Sequence, residues 1–329
     1  MPVTIRDVAR RAEVSVATVS RALGSPDRVS AVTRARVLEI VRELGYRPSP
    51  AARSLITGKT GAIAIVVPDL GNPFFTGVLK SVQAQARRTG HAVLVGDSDE
   101  DPATEQELVR TMAKQADGLL LCSPGIDDAT ITELAGLTPL ALLNRRVTGI
   151  GATVMDSAGG MREIVAHLAG LGHRRCAYLN GPLTSWSNSE RLRGLRSAAA
   201  EHGVEIRELG PFAPRYEDGA PAADQALAAG VTAVLAYNDV MALGALARLR
   251  ERGVAVPGEV SVTGFDDLVY AAVSAPPLTT VAMPLAESGR RAVEQVLAHS
   301  AGEAAGRVVT ELPTRLVLRA STGPVRENS

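Results

Sequence analysis

The 329-residue chain balances 35 Lys and Arg against 35 Asp and Glu, is 46% hydrophobic and carries only 3% aromatic residues, which excludes a disordered chain and suggests two or three domains with their own cores. No apolar run reaches the ~20 residues that cross a bilayer. Arg6, Asp7, Arg10, Arg11 and Glu13 break up any signal-peptide core, so a cytoplasmic protein is expected.

Charge is unevenly spread along the chain. Residues 1–60 hold eleven Lys and Arg against five Asp and Glu, a net +6, and the rest holds 24 against 30, a net −6. A basic head on an acidic body suits a head that meets a polyanion, although a few arginines can also merely solvate a small domain.

Thr4 and Asp7 form a T-x-x-D capping pair ahead of Ile5, Val8, Ala9 and Ala12, which recur at helical spacing. After the turn at 13–15, Ser15 is placed to cap a second helix over 16–23. There Val19, Ala22 and Leu23 are predicted inward, Val16, Ala17, Ser20 and Arg21 outward, and Thr18 near the first turn. Two short helices across a tight turn, the second exposing short side chains near its start, have the geometry that enters a DNA major groove. A third helix is predicted over 31–44, with Val37, Ile40, Val41 and Leu44 inward and Gly45 as terminator. A three-helix bundle without a ligand has the same periodicity, so spacing alone leaves both readings open. After Tyr46 the chain reads RPSPAARSLITGKTG. Pro48 and Pro50 stop the third helix, and 51–55 can form one further turn, too short to be stable alone. That turn carries Arg53 and Leu55, and an apolar side chain on a marginal basic helix can wedge between base steps in the minor groove. An interdomain linker with one incidental leucine fits as well.

From Gly61 short apolar runs alternate with amphipathic stretches. AIAIVVP, AVLVG, GLLLC and PLALLN read as buried parallel strands, with helices near 76–89, 103–115 and 128–136. The rhythm repeats with CAYLNG, AVLAYND and VSVTGFDD as strands and helices near 158–170, 190–202, 221–229 and 239–252. Two doubly wound α/β units in succession place ligand sites at the carboxyl ends of strands. The segments there, 69–75, 97–99, 144–145, 181–191, 238–239 and 265–267, are polar with a few aromatics, which points to a cleft between two lobes. Cys122 and Cys176 lie in apolar runs and read as buried thiols. No metal or cofactor is expected.

TIRDVARRAEVSVATVSRALG, the pair Val29-Ser30, ELGYRPSPAARSL and the following NPFF together resemble the LacI/GalR family of bacterial transcriptional repressors, over about residues 3–322. The resemblance implies an N-terminal all-α helix-turn-helix head over 1–47, a hinge helix and linker over 48–60, an effector-binding and dimerisation body over 61–323 and a polar tail over 324–329. The body is expected to take the α/β two-lobed periplasmic-binding-protein type I fold, its lobes spanning about 61–155 with 284–310, and 156–283 with 311–323. Thr4, Ser15, Val16, Ala17, Thr18, Ser20, Arg21, Ser30, Arg53 and Leu55 are the implied DNA contacts.

In the cleft, Asn72, Phe74 and Phe75 match the family's first-lobe ligand loop, where an amide and two rings suit hydroxyl bonding and stacking on a sugar. Asn144 falls at the polar position ending the fourth strand. Ser187 and Arg191 match an S-x-x-x-R pair, and Asn238 and Asp266 match second-lobe positions that bond ligand hydroxyls. Phe212 matches a wall aromatic, although the PRYEDG that follows differs in length from several relatives. Trp186 and Met283 also occupy cleft-side positions. Asp239 is expected to cap the helix that follows it, Asp267 to face structure, and the five histidines to be surface or satisfied residues.

The partners implied are palindromic operator DNA, a small effector of the sugar class and a second copy of the chain. The leucine-heptad helix of tetrameric relatives is missing, so a homodimer is expected. Two other classes compete, an enzyme using Ser187, Arg191 and Asp266 and a free sugar-binding protein. No His or Lys is placed to activate the serine, and no G-x-S-x-G, Walker A, G-x-G-x-x-G or H-E-x-x-H motif occurs. A transport protein would carry a signal peptide and lack the head. A ligand-responsive repressor, not an enzyme, is expected.

Overall fold

The computed structural model describes residues 3–24, 28–46 and 59–325; Arg53, Leu55 and most of the expected hinge lie outside them. The chain divides into two compact units, Met1–Ala62 with Gln115–Asp117, and the remainder.

The head consists of α1 (Ile5–Arg11), α2 (Val16–Gly24) and α3 (Ala31–Glu43). Each helix begins on a hydroxyl residue. Thr4 donates from its N–H and Oγ1 to Asp7 Oδ2 at 3.0 and 2.6 Å, closing the predicted capping pair. Ser15 Oγ accepts from Thr18 N at 3.1 Å, and Ser30 Oγ accepts from Thr33 N at 3.3 Å. Val8, Val19 and Val37, one from each helix, are fully buried and meet Ala9, Ala12, Ala22, Ile40 and Tyr46. Gly45, at φ +63°, takes the left-handed conformation that ends α3 without a Cβ penalty.

In chain order the body runs β1 (Ala62–Val67), α4 (Pro73–Arg88), β2 (Ala92–Asp97), α5 (Pro102–Met112), β3 (Leu119–Cys122), α6 (Asp128–Ala135), β4 (Leu140–Leu143) and β5 (Gly151–Met155). It then crosses to α7 (Ser157–Gly170), β6 (Arg175–Leu179), α8 (Trp186–His202), β7 (Glu205–Leu209), α9 (Tyr216–Ala228), β8 (Ala233–Ala236), α10 (Asp239–Glu251), β9 (Ser261–Thr263), α11 (Val269–Val273) and β10 (Thr280–Ala282). It returns for α12 (Leu285–Ser300) and β11 (Val309–Leu312), and ends on β12 (Arg315–Val317). The first sheet has the order β11-β5-β4-β3-β1-β2 and the second β7-β6-β8-β9. These are the two doubly wound lobes expected. A separate antiparallel pair joins β10 to β12.

Strands β1, β3, β4 and β5 are buried along their whole length, as strands covered by helices on both faces must be. Several elements were not legible as such. β7 reads EIREL and lies at a sheet edge, with no residue buried, so it has no apolar run to announce it. α8 and α9 begin four and five residues before their predicted starts, at Trp186 and Tyr216, and α9 accommodates Pro221 inside. The expected lobe division after 310 cuts through β11, all four residues of which pair in register with β5. The last crossing to the second lobe therefore follows Leu312, because a strand cannot leave its sheet in mid-ladder. Within the second lobe α9 and α10 approach so closely that a Cβ on Gly244 would stand 2.0 Å from the Tyr216 carbonyl oxygen.

Candidate functional site

Helix α2 buries Val19 and Ala22 and turns Val16, Ala17 and Arg21 to solvent, as its periodicity predicts. Ser20 and Thr18 are half-buried, and the hydroxyls of Thr18 and Ser15 lie 2.9 Å apart. Arg21 Nε donates to Ala17 O at 3.1 Å, so the guanidinium lies along its own helix. Thr4, Ser15 and Ser30 stand at helix N-termini, where free backbone N–H groups and the helix dipole favour anions such as phosphate.

The body holds a cleft lined by Asn72, Phe74, Phe75, Asn144, Ser187, Arg191, Asn238 and Asp266 together with Pro68, Glu100, Ser123, Gly125, Pro182, Thr184, Ser185 and Tyr237. Eight of the nine expected effector residues thus converge on one space. Asn72 caps α4, its Oδ1 accepting from Phe74 N at 3.0 Å. Phe74 and Phe75 meet edge to face, ring centroids 5.1 Å apart, and belong to the lobe core as well as to the cleft wall. Asn144 follows β4 at φ +60° and donates from Nδ2 to Ser123 Oγ at 3.1 Å and to Ser187 Oγ at 2.7 Å. Ser187 belongs to the second lobe, so this amide bonds across the cleft. Its Oδ1 is buried with no partner among the described residues.

From the second lobe, Arg191 projects off α8 between the rings of Phe265 and Tyr237, its guanidinium carbon 3.9 and 4.5 Å from their centroids. One Nη donates to Tyr237 O and the other to Asp266 Oδ1 at 3.3 Å; Nε has no partner among the described residues. Burial pushes the Asp266 carboxyl up to about 7 against the pull of Arg191. Asp266 sits at φ +116°, a conformation rare outside glycine, and donates its N–H to Val281 O at 2.9 Å. Glu100, at φ +60°, has its carboxyl pushed up by desolvation and then by the charge of Asp69. Behind the cleft loop, Glu105 Oε2 accepts from Gly125 N and Ile126 N at 3.0 and 3.2 Å, and burial raises this carboxyl to about 7.

Several assignments change. Phe212 does not line the cleft; it is half-buried and packs against the core of the second lobe, because the backbone turns there through Gly210 at φ +101°. Trp186 and Met283 are also absent from the cleft lining, Met283 being buried in the core. The cap of α10 is Asn238, whose Oδ1 accepts from Met241 N at 2.9 Å while Nδ2 donates to Pro214 O at 3.1 Å. Asp239 is fully buried instead and accepts from Leu268 N and Thr280 Oγ1 at 2.8 and 2.6 Å. Asp267 pairs with Arg319 at 2.6 Å, as expected of a structural residue. His173, buried, bonds Thr232, Ser261 and Gly323. Both cysteines are buried free thiols, pushed up to about 12 by burial. Of the lining residues not anticipated, Ser123 and Tyr237 directly follow β3 and β8, so the strand-end rule could have found them. Glu100 carried no local signal.

Residues 4–49 match the family described as bacterial regulatory proteins, lacI family, and residues 165–322 match the periplasmic binding protein-like domain. The chain is 34% identical to the HTH-type transcriptional regulator DegA of Bacillus subtilis, over 99% of each. It is 34% identical to the HTH-type transcriptional repressor CytR of Escherichia coli, over 97% of this chain and 96% of that one. Among solved structures it resembles the lac repressor dimer bound to operator and the anti-inducer ONPF, with TM-score 0.86, 30% identity and coverage of 98% and 100%. It also resembles the transcriptional regulator CelR–cellobiose complex, with TM-score 0.72, 31% identity and coverage of 97% and 99%.

Proposed function

Because this chain belongs to the lacI family of bacterial regulatory proteins, we propose that it is a DNA-binding transcriptional repressor whose operator affinity is set by a small sugar-class effector held between the lobes of its body. The observation that carries this reading is the union in one chain of a capped helix turning Val16, Ala17 and Arg21 outward with an interlobe cleft lined by buried polar groups. The head, residues 1–47, reads bases with Val16, Ala17, Ser20 and Arg21 and positions itself on phosphates with Thr4, Ser15, Thr18 and Ser30. The segment 48–60, with Arg53 and Leu55, links this reading to the cleft. Asn72, Phe74, Phe75, Asn144, Ser187, Arg191 and Asp266 shape the effector site; Asn238 shapes it through its cap, both of its side-chain functions being spent on protein.

The repressor works as a homodimer in the cytoplasm, where its DNA is. A shallow apolar groove on the second lobe, formed by Leu243, Leu246, Tyr270 and Val273, supports self-association; Val273 is 75% exposed. The chain is not an enzyme: the Ser187 hydroxyl is occupied by the Asn144 amide, and no histidine is among the described residues lining the cleft. The test is selection of bound duplexes from a random library by the full chain, followed by titration with and without sugars. A palindromic consensus is expected, with affinity that responds to at least one sugar. Recovery of no consensus would overturn the reading.

A further inference from the structure

The charges around the cleft say what kind of sugar-class molecule it admits. Arg191 is the only Lys, Arg or His among the described residues lining it, and that guanidinium is already engaged. Its two Nη groups go to Asp266 and Tyr237 O, it is sandwiched by two rings, and it is 3% exposed. An anion could recruit it only by leaving the Asp266 carboxylate buried without its partner, which is costly. Apart from the Arg191–Asp266 pair, the other charge in the lining is Glu100, whose carboxylate makes no hydrogen bond or ion pair among the described residues. Asp69, Asp97 and Asp99 reinforce it against the pull of Arg215, which pairs with Asp99 at 3.3 Å.

Helix N-termini, the usual alternative for holding phosphate, are here each partly used by their own caps. The three that border the cleft belong to α4, α8 and α10, and each gives an N–H to its own cap, Asn72, Ser185 or Asn238. Besides the Arg191 Nε–H, which is flanked by two rings, what the cleft leaves open among the described residues is an acceptor. Asn144 Oδ1 is buried and unpartnered, on a residue only 3% exposed, and Glu100 adds two more acceptor oxygens. Acceptors beside cations that are already paired with carboxylates suit hydroxyl donors.

We propose that the effector is an uncharged, hydroxyl-rich ring compound of the sugar or nucleoside kind, and that the cleft rejects its phosphorylated and carboxylated forms. This rests on the effector-cleft reading above. Glu100 is the residue that enforces the rejection, because it places a negative charge in the space where any added anion would sit.

The experiment is calorimetric titration of the full chain with matched sets: ribose and ribose 5-phosphate; glucose, glucose 6-phosphate and gluconate; cytidine and cytidine 5′-monophosphate. The expected result is binding of at least one neutral parent, with its anionic partner at least tenfold weaker. Glu100→Gln should narrow that gap threefold or more. An anionic member that binds as tightly as its parent, and loses binding in Asn144→Ala, overturns this inference while leaving the cleft reading intact. Silence from every member overturns both. An unchanged gap in Glu100→Gln removes Glu100 from the role assigned to it.

Discussion

The outward face of α2 and the interlobe cleft, the two surfaces proposed to meet partners, are held in opposite ways. Val16, Ala17 and Arg21 stand in water, and among the described residues the one bond Arg21 makes is to its own helix. Arg191 and Asp266, 3% and 6% exposed, are held by each other, by flanking rings and by backbone. A solvated reading face costs nothing to keep while unbound, so its residues can change without touching the fold. A buried face must satisfy itself when empty, so each of its residues answers to stability as well as to ligand.

The sharpest way to break this contrast is Asp266→Ala. It leaves the Arg191 guanidinium buried and unpaired, and guanidinium cannot shed its proton, so the body is expected to lose about 3–5 kcal/mol in denaturant unfolding. A loss within about 0.5 kcal/mol, as at a surface site, would end the comparison. Arg191→Ala is expected to cost less below neutral pH than above it. The Asp266 carboxyl, already held near 7 by burial, can then take up a proton, and the penalty returns as it ionises.

Glu105 extends the contrast to the loop behind the cleft. Burial raises its carboxyl from 4.5 to about 7, so the folded state holds its proton more tightly than the unfolded chain does. That contribution is complete below pH 4.5 and is lost as pH rises through 7, a span of about 3 kcal/mol. Between pH 5 and 8 the thermal midpoint of the wild type should therefore fall several degrees further than that of Glu105→Gln, at roughly 2–4 °C per kcal/mol. Parallel pH curves for the two proteins would refute the assignment.

On the reading face the expectation reverses. Arg21→Ala should weaken selected operator DNA by about 1–3 kcal/mol relative to unrelated DNA, with unfolding of both units within about 0.5 kcal/mol of wild type. If the ratio of the two affinities stays at its wild-type value, Arg21 contacts phosphate alone. The smallest effect belongs to Ser15→Ala, which removes one cap and should cost the head about 1 kcal/mol while leaving the melting of the body unchanged.

What the sequence by itself determined is what depends on near neighbours. Thr4 and Ser15 start their helices as the sequence predicts, Thr4 giving its N–H to Asp7 and Ser15 Oγ accepting from Thr18 N, because groups three residues apart need nothing else to find each other. The apolar runs of β1, β3 and β4 are legible because a strand buried on both faces must be apolar throughout, and their carboxyl ends led to Asn72 and Asn144. Tertiary structure decided the rest. Asn238 and Asp239 are adjacent candidates for one cap, and only the arrival of Thr280 and Leu268 beside Asp239 assigns the cap to Asn238. Phe212 leaves the cleft because of a turn that no periodicity encodes, and Glu100 enters it through a left-handed residue with no sequence mark. Arg191 and Asp266 lie 75 positions apart, and nothing local reveals that the one is neutralised by the other. Capping and periodicity act over a few residues and can be read along the chain; charge compensation acts through space, and exists only once the lobes have folded.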